Sequence, residues 1–181
     1  MKITETKLKG CFVIEPKVYD DERGFFLELF KKRDLEKALG FKIDFVQENK
    51  SISKKNVLRG LHFQTGEAAQ AKLVTVQKGQ VLDVIVDLRQ NSDTYGEHIK
   101  IKLSDSNLKS IFIPKGMAHG FLALSNDTIF TYKCDNYYNP NKEAGIIYND
   151  KDLNIDWEYP EIDFIISDKD KDLPSLKFYR I

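Results

Sequence analysis

Only three histidines, His62, His98 and His119, occur in the 181 residues, so chemistry that needs a neutral imidazole near pH 7 has few places to reside. His62 sits in the run Leu58-Arg59-Gly60-Leu61-His62-Phe63-Gln64. Strand alternation puts Gly60, His62 and Gln64 on one face and Leu61 and Phe63 on the other, so packing of the apolar pair would turn His62 inward. Arg59 is close by, Lys72 opens the next strand-like run, and Tyr132 lies on a later aromatic one. Histidine, lysine and tyrosine converging in one cavity would supply a base, an electrostatic stabiliser and an acid. A lone buried histidine satisfied by its neighbours is the competing reading. His98 alternates onto the polar face of its run and reads as exposed and without function. Asp83 and Asp87 share one strand face, and structural hydrogen bonding or a dimer contact is preferred to an acid pair. Cys134 shares strand parity with Tyr132 but has no histidine beside it, which argues against a thiol nucleophile.

The elements that must position these groups are short. Runs rich in Val, Ile, Phe and Tyr cover residues 11–14, 25–30, 57–63, 72–77, 81–88, 99–103, 110–113, 119–124 and 128–134, bounded by Gly, Pro, Asn, Asp or Ser. Several alternate with period two: Ile99, Ile101 and Leu103 oppose His98, Lys100 and Lys102. One short helix is expected over residues 33–39, closed by Gly40. The last 30 residues, rich in Asp, Lys and Pro, are expected to wrap the surface as loops and short helices. Many closely spaced strands predict an all-β fold, a jelly-roll barrel or sandwich of the cupin type with a few short helices. Residues 114–119, Pro-Lys-Gly-Met-Ala-His, resemble the second cupin motif. The first motif should carry a clustered H-x-H, but here His62 is followed by Gln64. Two isolated imidazoles without an obvious carboxylate predict no metal, since a facial triad needs two His and a carboxylate.

Bulk properties narrow the partners. Twenty-eight basic and 28 acidic residues cancel, so no overall field points to nucleic acid or an anionic membrane. No run approaches the roughly 18 apolar residues of a spanning helix, and the N-terminus has no apolar h-region. Cys11 and Cys134 lack metal-like spacing and read as free thiols in a cytoplasmic protein. A single domain over residues 1–181 is expected.

Eight segments, in order and spacing, resemble the dTDP-4-dehydrorhamnose 3,5-epimerase family over nearly the whole chain. They include Asp21-Glu22-Arg23-Gly24-Phe25-Phe26, Gln47-Glu48-Asn49-Lys50-Ser51, the run around His62, and Ala69-Gln70-Ala71-Lys72-Leu73-Val74. Asp83 to Arg89, Ile113 to Phe121, Tyr132-Lys133 with Tyr137-Tyr138, and Ser167-Asp168-Lys169-Asp170 continue the match. The resemblance implies that His62 is the proton acceptor with Asp170 as its carboxylate partner. It implies Tyr132 as the proton donor on the opposite face of the sugar and Lys72 as the cation beside the C4 oxygen. It assigns substrate contacts to Arg23, Phe26, Glu28, Gln47, Asn49, Arg59, His119, Glu143 and Lys169, and stacking on thymine to Tyr138. Ala71, Phe63 and Met117 depart from the residues relatives often carry, and none is a proposed catalytic group.

The implied substrate is a dTDP-4-keto-6-deoxyhexose, and the implied assembly is a homodimer with N-terminal strands shared across the interface. A C4 ketone acidifies the C3 and C5 protons, so a base and an acid on opposite walls suffice. The redox state does not change, no cofactor is needed, and no G-x-G-x-x-G or P-loop is present. Three alternatives stay open at this point: a mono-epimerase or ketoisomerase on the same fold, a silent ligand-binding cupin, and a metal-dependent cupin oxygenase.

Overall fold

The computed structural model describes residues 1–179, and in it the alternating runs resolve into two facing antiparallel sheets. In chain order the strands are β1 Lys2–Glu5, β2 Phe12–Glu15, β3 Val18–Asp21, β4 Gly24–Leu27, β5 Gln47–Ser53, β6 Leu58–Gln64 and β7 Lys72–Lys78. They continue with β8 Gln80–Asp87, β9 His98–Ser104, β10 Ser110–Ile113, β11 Met117–Ala123, β12 Thr128–Cys134 and β13 Glu143–Gly145. The helices are α1 Lys32–Leu39 and α2 Asp168–Lys171. One sheet has the order β1-β2-β10-β7-β12-β5 and the other β13-β6-β11-β8-β9, while β3 and β4 form a separate hairpin. Neighbours in order are rarely neighbours in sequence, the topology of a jelly roll.

Period-two alternation decides what each sheet face meets. Val81 and Ile85 point between the sheets with Val74, Leu103, Ile111, Phe121 and Phe130. Leu82, Val84 and Val86, the other face of β8, pack outward with Leu58, Leu61 and Leu122. That outer face is covered by Leu153, Ile155, Trp157 and Leu176 of the C-terminal segment, so the polar-looking tail holds buried apolar anchors. Each fully buried large side chain of this kind contributes about 1.5–3 kcal/mol. The far face of the six-stranded sheet carries Ile14, Leu73 and Phe112 and is covered by α1 through Leu35. Gly40 closes α1 at φ +77°, its N–H donating to the Glu36 carbonyl at 2.9 Å.

Three features differ from the sequence reading. Residues 28–30 leave the strand after Leu27. The strand β5 has no apolar period because Gln47, Asn49, Ser51 and Ser53 turn toward the barrel while Glu48, Lys50 and Ile52 face solvent. A strand polar on both faces lacks the alternation that marks a half-buried one. His98 is half-buried rather than exposed, and burial lowers its imidazole pKa.

Candidate active site

A cavity of about 340 Å³ opens between the sheets, lined among others by Arg59, His62, Lys72, His119, Tyr132 and Asp170. The five-stranded sheet supplies Arg59 and His62 from β6 and His119 from β11, while the six-stranded sheet supplies Lys72 from β7 and Tyr132 from β12. His62 and Tyr132 therefore sit on facing walls of one cavity.

Strand alternation alone would turn Arg59 away from His62. A bulge brings them together: His119 pairs with His62 and Phe121 with Arg59, three steps along β6 against two along β11. The extra residue inverts the parity, so Leu58 and Leu61 both face outward and Arg59 joins His62 inside. Gly60 occupies the bulge at φ +112°, and a Cβ there would lie 2.7 Å from Gly120 Cα and from the His119 carbonyl oxygen. Only glycine fits that approach.

Two histidine–carboxylate pairs stand side by side on this wall. His62 Nε2 lies 2.7 Å from Asp170 Oδ1, and Asp170 Oδ2 accepts from the Gly60 backbone N–H at 3.1 Å. Asp170 comes from α2, where Ser167 caps the helix and turns the carboxylate inward with 4% of the residue exposed. Burial pushes the Asp170 pKa up, but the hydrogen bond and charge of His62 and the Gly60 N–H hold it below the usual carboxylate value. A carboxylate on Nε2 directs the proton there and leaves Nδ1 as the basic nitrogen. His119 Nε2 lies 2.5 Å from Asp83 Oδ1, and the His119 ring stacks on Phe130 with 5.9 Å between centroids. Asp83, for which the sequence favours structural hydrogen bonding or a dimer contact over an acid pair, is hydrogen-bonded here and faces inward, and its position among apolar residues on one strand face is the signal for that orientation.

On the opposite wall, Lys72 is buried and its ammonium lies 5.9 Å from the centroid of the Tyr132 ring. Burial lowers the Lys72 pKa, opposed by the charges of Cys134, Asp83 and Glu143. Burial raises the Tyr132 pKa, so the phenol holds its proton at neutral pH. The Cys134 thiol is pushed up to about 11 by burial, which keeps it protonated and unreactive.

At the mouth, Glu143 Oε2 accepts from the Tyr138 hydroxyl and from Lys169 Nζ, both at 2.6 Å. Gln47 stands beside them, accepting from the Tyr138 backbone N–H at 2.9 Å and donating to Asn49 at 3.0 Å. Arg23, Phe26 and Glu28 are not brought to the cavity of their own chain. They lie on or just after the β3–β4 hairpin, which pairs with neither barrel sheet. There Arg23 pairs with Asp21, Glu28 with Lys31, and Phe26 is 67% exposed. Among the described residues no group of three or more His, Cys, Asp or Glu is placed to hold a metal ion.

Two antiparallel sheets of a cupin-type fold thus carry a carboxylate-backed histidine and a protonated tyrosine on facing walls beside a buried lysine, an arrangement equipped for proton transfer at one bound group. The family model for dTDP-4-dehydrorhamnose 3,5-epimerase matches residues 5–177. A dTDP-4-dehydrorhamnose 3,5-epimerase of Methanothermobacter thermautotrophicus is 49% identical over 177 residues, covering 97% of this chain and 95% of its own length. A crystal structure of the enzyme of that name from Elizabethkingia anophelis NUHP1 superposes with a TM-score of 0.95 at 48% identity, covering 98% of this chain and 97% of that one. A dTDP-6-deoxy-D-glucose-3,5-epimerase from Legionella pneumophila Philadelphia 1, solved in complex with dTDP-4-keto-L-rhamnose, has a TM-score of 0.92 at 45% identity, covering 97% of this chain and 93% of that one. The chain belongs to the dTDP-4-dehydrorhamnose 3,5-epimerase family.

Proposed function

We propose that this enzyme inverts C3 and C5 of dTDP-4-dehydro-6-deoxy-D-glucose to give dTDP-4-dehydro-L-rhamnose, with His62 as base and Tyr132 as acid. The observation that carries this reading is their placement on facing sheets of one cavity. His62 takes a carbon-bound proton beside the ketone, and the electron pair moves through the new C–C double bond onto the C4 oxygen. Lys72 stabilises that enolate. Tyr132 then delivers a proton to the carbon from the opposite side, the electron pair returns from oxygen, and configuration is inverted. The Tyr132 phenolate and the His62 imidazolium are reset by proton exchange with water before the second carbon reacts. Asp170 fixes the His62 tautomer and stabilises the imidazolium, the part an aspartate plays in hydrolase triads. The reaction is redox-neutral, so a nicotinamide has no role.

Arg59 and Lys169 meet the diphosphate, Tyr138 stacks on the thymine, and Gln47, Asn49, His119 and Glu143 contact the remainder of the substrate. The chain works as one domain in a cytoplasmic homodimer. Arg23, Phe26 and Glu28, exposed on their own protomer, reach the partner's cavity.

Proton NMR in deuterated water, following the 4-keto-6-deoxyglucose nucleotide with purified enzyme, tests the reading. Loss of both the C3 and C5 proton signals is the expected result. Exchange at one carbon alone would replace it with a mono-epimerase, and exchange at neither would overturn it.

A further inference from the structure

Asp83 is fully buried in the middle of β8, and nothing in the mechanism above uses it. Its Oδ1 lies 2.5 Å from His119 Nε2, while Oδ2 is buried without a hydrogen-bond partner among the described residues. Buried carboxylates are costly and are normally satisfied on both oxygens, so one with a free oxygen beside a reaction cavity calls for an explanation. The stacking of His119 on Phe130 fixes the ring plane, and the carboxylate then fixes which ring nitrogen carries the proton.

Lys72, across the cavity, needs a counter-charge. Burial works against its ammonium form, and three groups oppose this: Cys134, Asp83 and Glu143. Cys134, on the neighbouring strand, is a neutral thiol at working pH, with its pKa pushed up to about 11. Glu143, from β13, is already engaged by Lys169 and Tyr138. Tyr132 faces Lys72 as a protonated phenol. Arg59 and His62 on β6 bring no negative charge, and Asp170 is taken up by His62. Asp83 is the carboxylate left with an uncommitted oxygen.

We propose that Asp83 is a positioning residue for this reaction, holding His119 in the tautomer protonated on Nε2 and supplying the buried negative charge that keeps the Lys72 ammonium in place. The inference rests on the epimerase reading, because Lys72 matters as a cation only if an enolate forms beside it.

The test is Asp83→Asn, a change of charge at nearly constant shape. The expected outcome is a fall of about 10- to 100-fold in kcat, the loss seen when the carboxylate behind a metal-ligating histidine is removed, with KM changed far less. The alkaline limb of the kcat–pH profile, to which loss of the Lys72 proton contributes, moves to lower pH. A merely structural role would reduce the folded fraction without moving that limb, and an unmoved limb would overturn the proposal. Should the variant fail to fold, nitrogen-15 NMR of the wild-type enzyme reads the His119 tautomer directly. A proton on Nδ1 overturns the proposal, and a proton on Nε2 supports it. The tautomer measurement needs no turnover, and wild-type deuterium exchange at C3 and C5 is scored separately, so failure of this inference and failure of the epimerase reading are distinguishable.

Discussion

Replacing Asp170 with asparagine separates the charge of the carboxylate from its shape. Two donors converge on this side chain: the Gly60 backbone N–H on Oδ2 at 3.1 Å and the His62 ring on Oδ1 at 2.7 Å. A carboxylate accepts both, whereas an amide has one accepting oxygen and one NH₂. If the oxygen stays with Gly60, the NH₂ faces His62 Nε2, which must then accept and carry no proton. The imidazole proton moves to Nδ1, and the nitrogen assigned to carbon acidity becomes a donor. If the oxygen turns to His62, the buried NH₂ meets the Gly60 N–H, a donor against a donor that costs about 1–3 kcal/mol. The first arrangement is the cheaper, so the wrong tautomer dominates. The same substitution in a serine-protease triad lowers kcat by about 10⁴ for this reason, equivalent to about 5 kcal/mol. Asp170→Asn should therefore lose at least about 10²-fold in deuterium incorporation at both carbons. Titration calorimetry with dTDP should show nucleotide affinity retained within a few fold. A variant with more than a tenth of wild-type turnover would refute the assignment of Asp170 as the group that sets the His62 tautomer.

Lys72→Met, close in length but uncharged, should slow turnover by about 10²–10³-fold, the usual loss on removing a preorganised stabiliser of an oxyanion; steady-state kinetics with a coupled reductase reads it. Gly60→Ala should destabilise the fold and lower activity together, because its Cβ meets Gly120 Cα and the His119 carbonyl at 2.7 Å. With a cost of about 1–3 kcal/mol, calorimetry should show Tm lower by about 2–12 °C. Asp87 tests pH linkage: burial pushes its carboxyl up, but donors from Arg89, Ser92 and Thr94 outweigh this and hold its pKa at about 2, below the ordinary 3.8. Its folded pKa is depressed, so its contribution of about 2 kcal/mol is present above pH 4 and is lost as pH falls toward 2. Urea melts of Asp87→Asn across that window should lose this part of the pH slope, and an unchanged slope would count against it.

The strands that pack apolar residues inward were legible because a half-buried strand imposes a period of two on its own sequence. The strands β7 to β12 were therefore visible, as were α1 and Gly40. The strand β5 was not, since it turns the polar Gln47, Asn49, Ser51 and Ser53 inward and Glu48, Lys50 and Ile52 to water. The C-terminal tail looked solvated, yet Ile155, Trp157 and Leu176 cover the outer sheet face, a contact no local pattern encodes.

By itself the sequence determined the all-β class, the scarcity of histidine and, through ordered motifs, the family to which His62, Lys72, Tyr132 and Asp170 belong. Those are properties of residue types and local periodicity, which survive in one dimension. Only the tertiary structure decided that Asp170 meets His62 across 108 positions of chain, that Asp83 meets His119, and that a bulge at Gly60 turns Arg59 inward. It also left Arg23, Phe26 and Glu28 away from the cavity of their own chain. Each of these depends on which strands become neighbours and on a one-residue change of register. Pairing of distant strands is set by the packing of the whole barrel, so no window of sequence contains it.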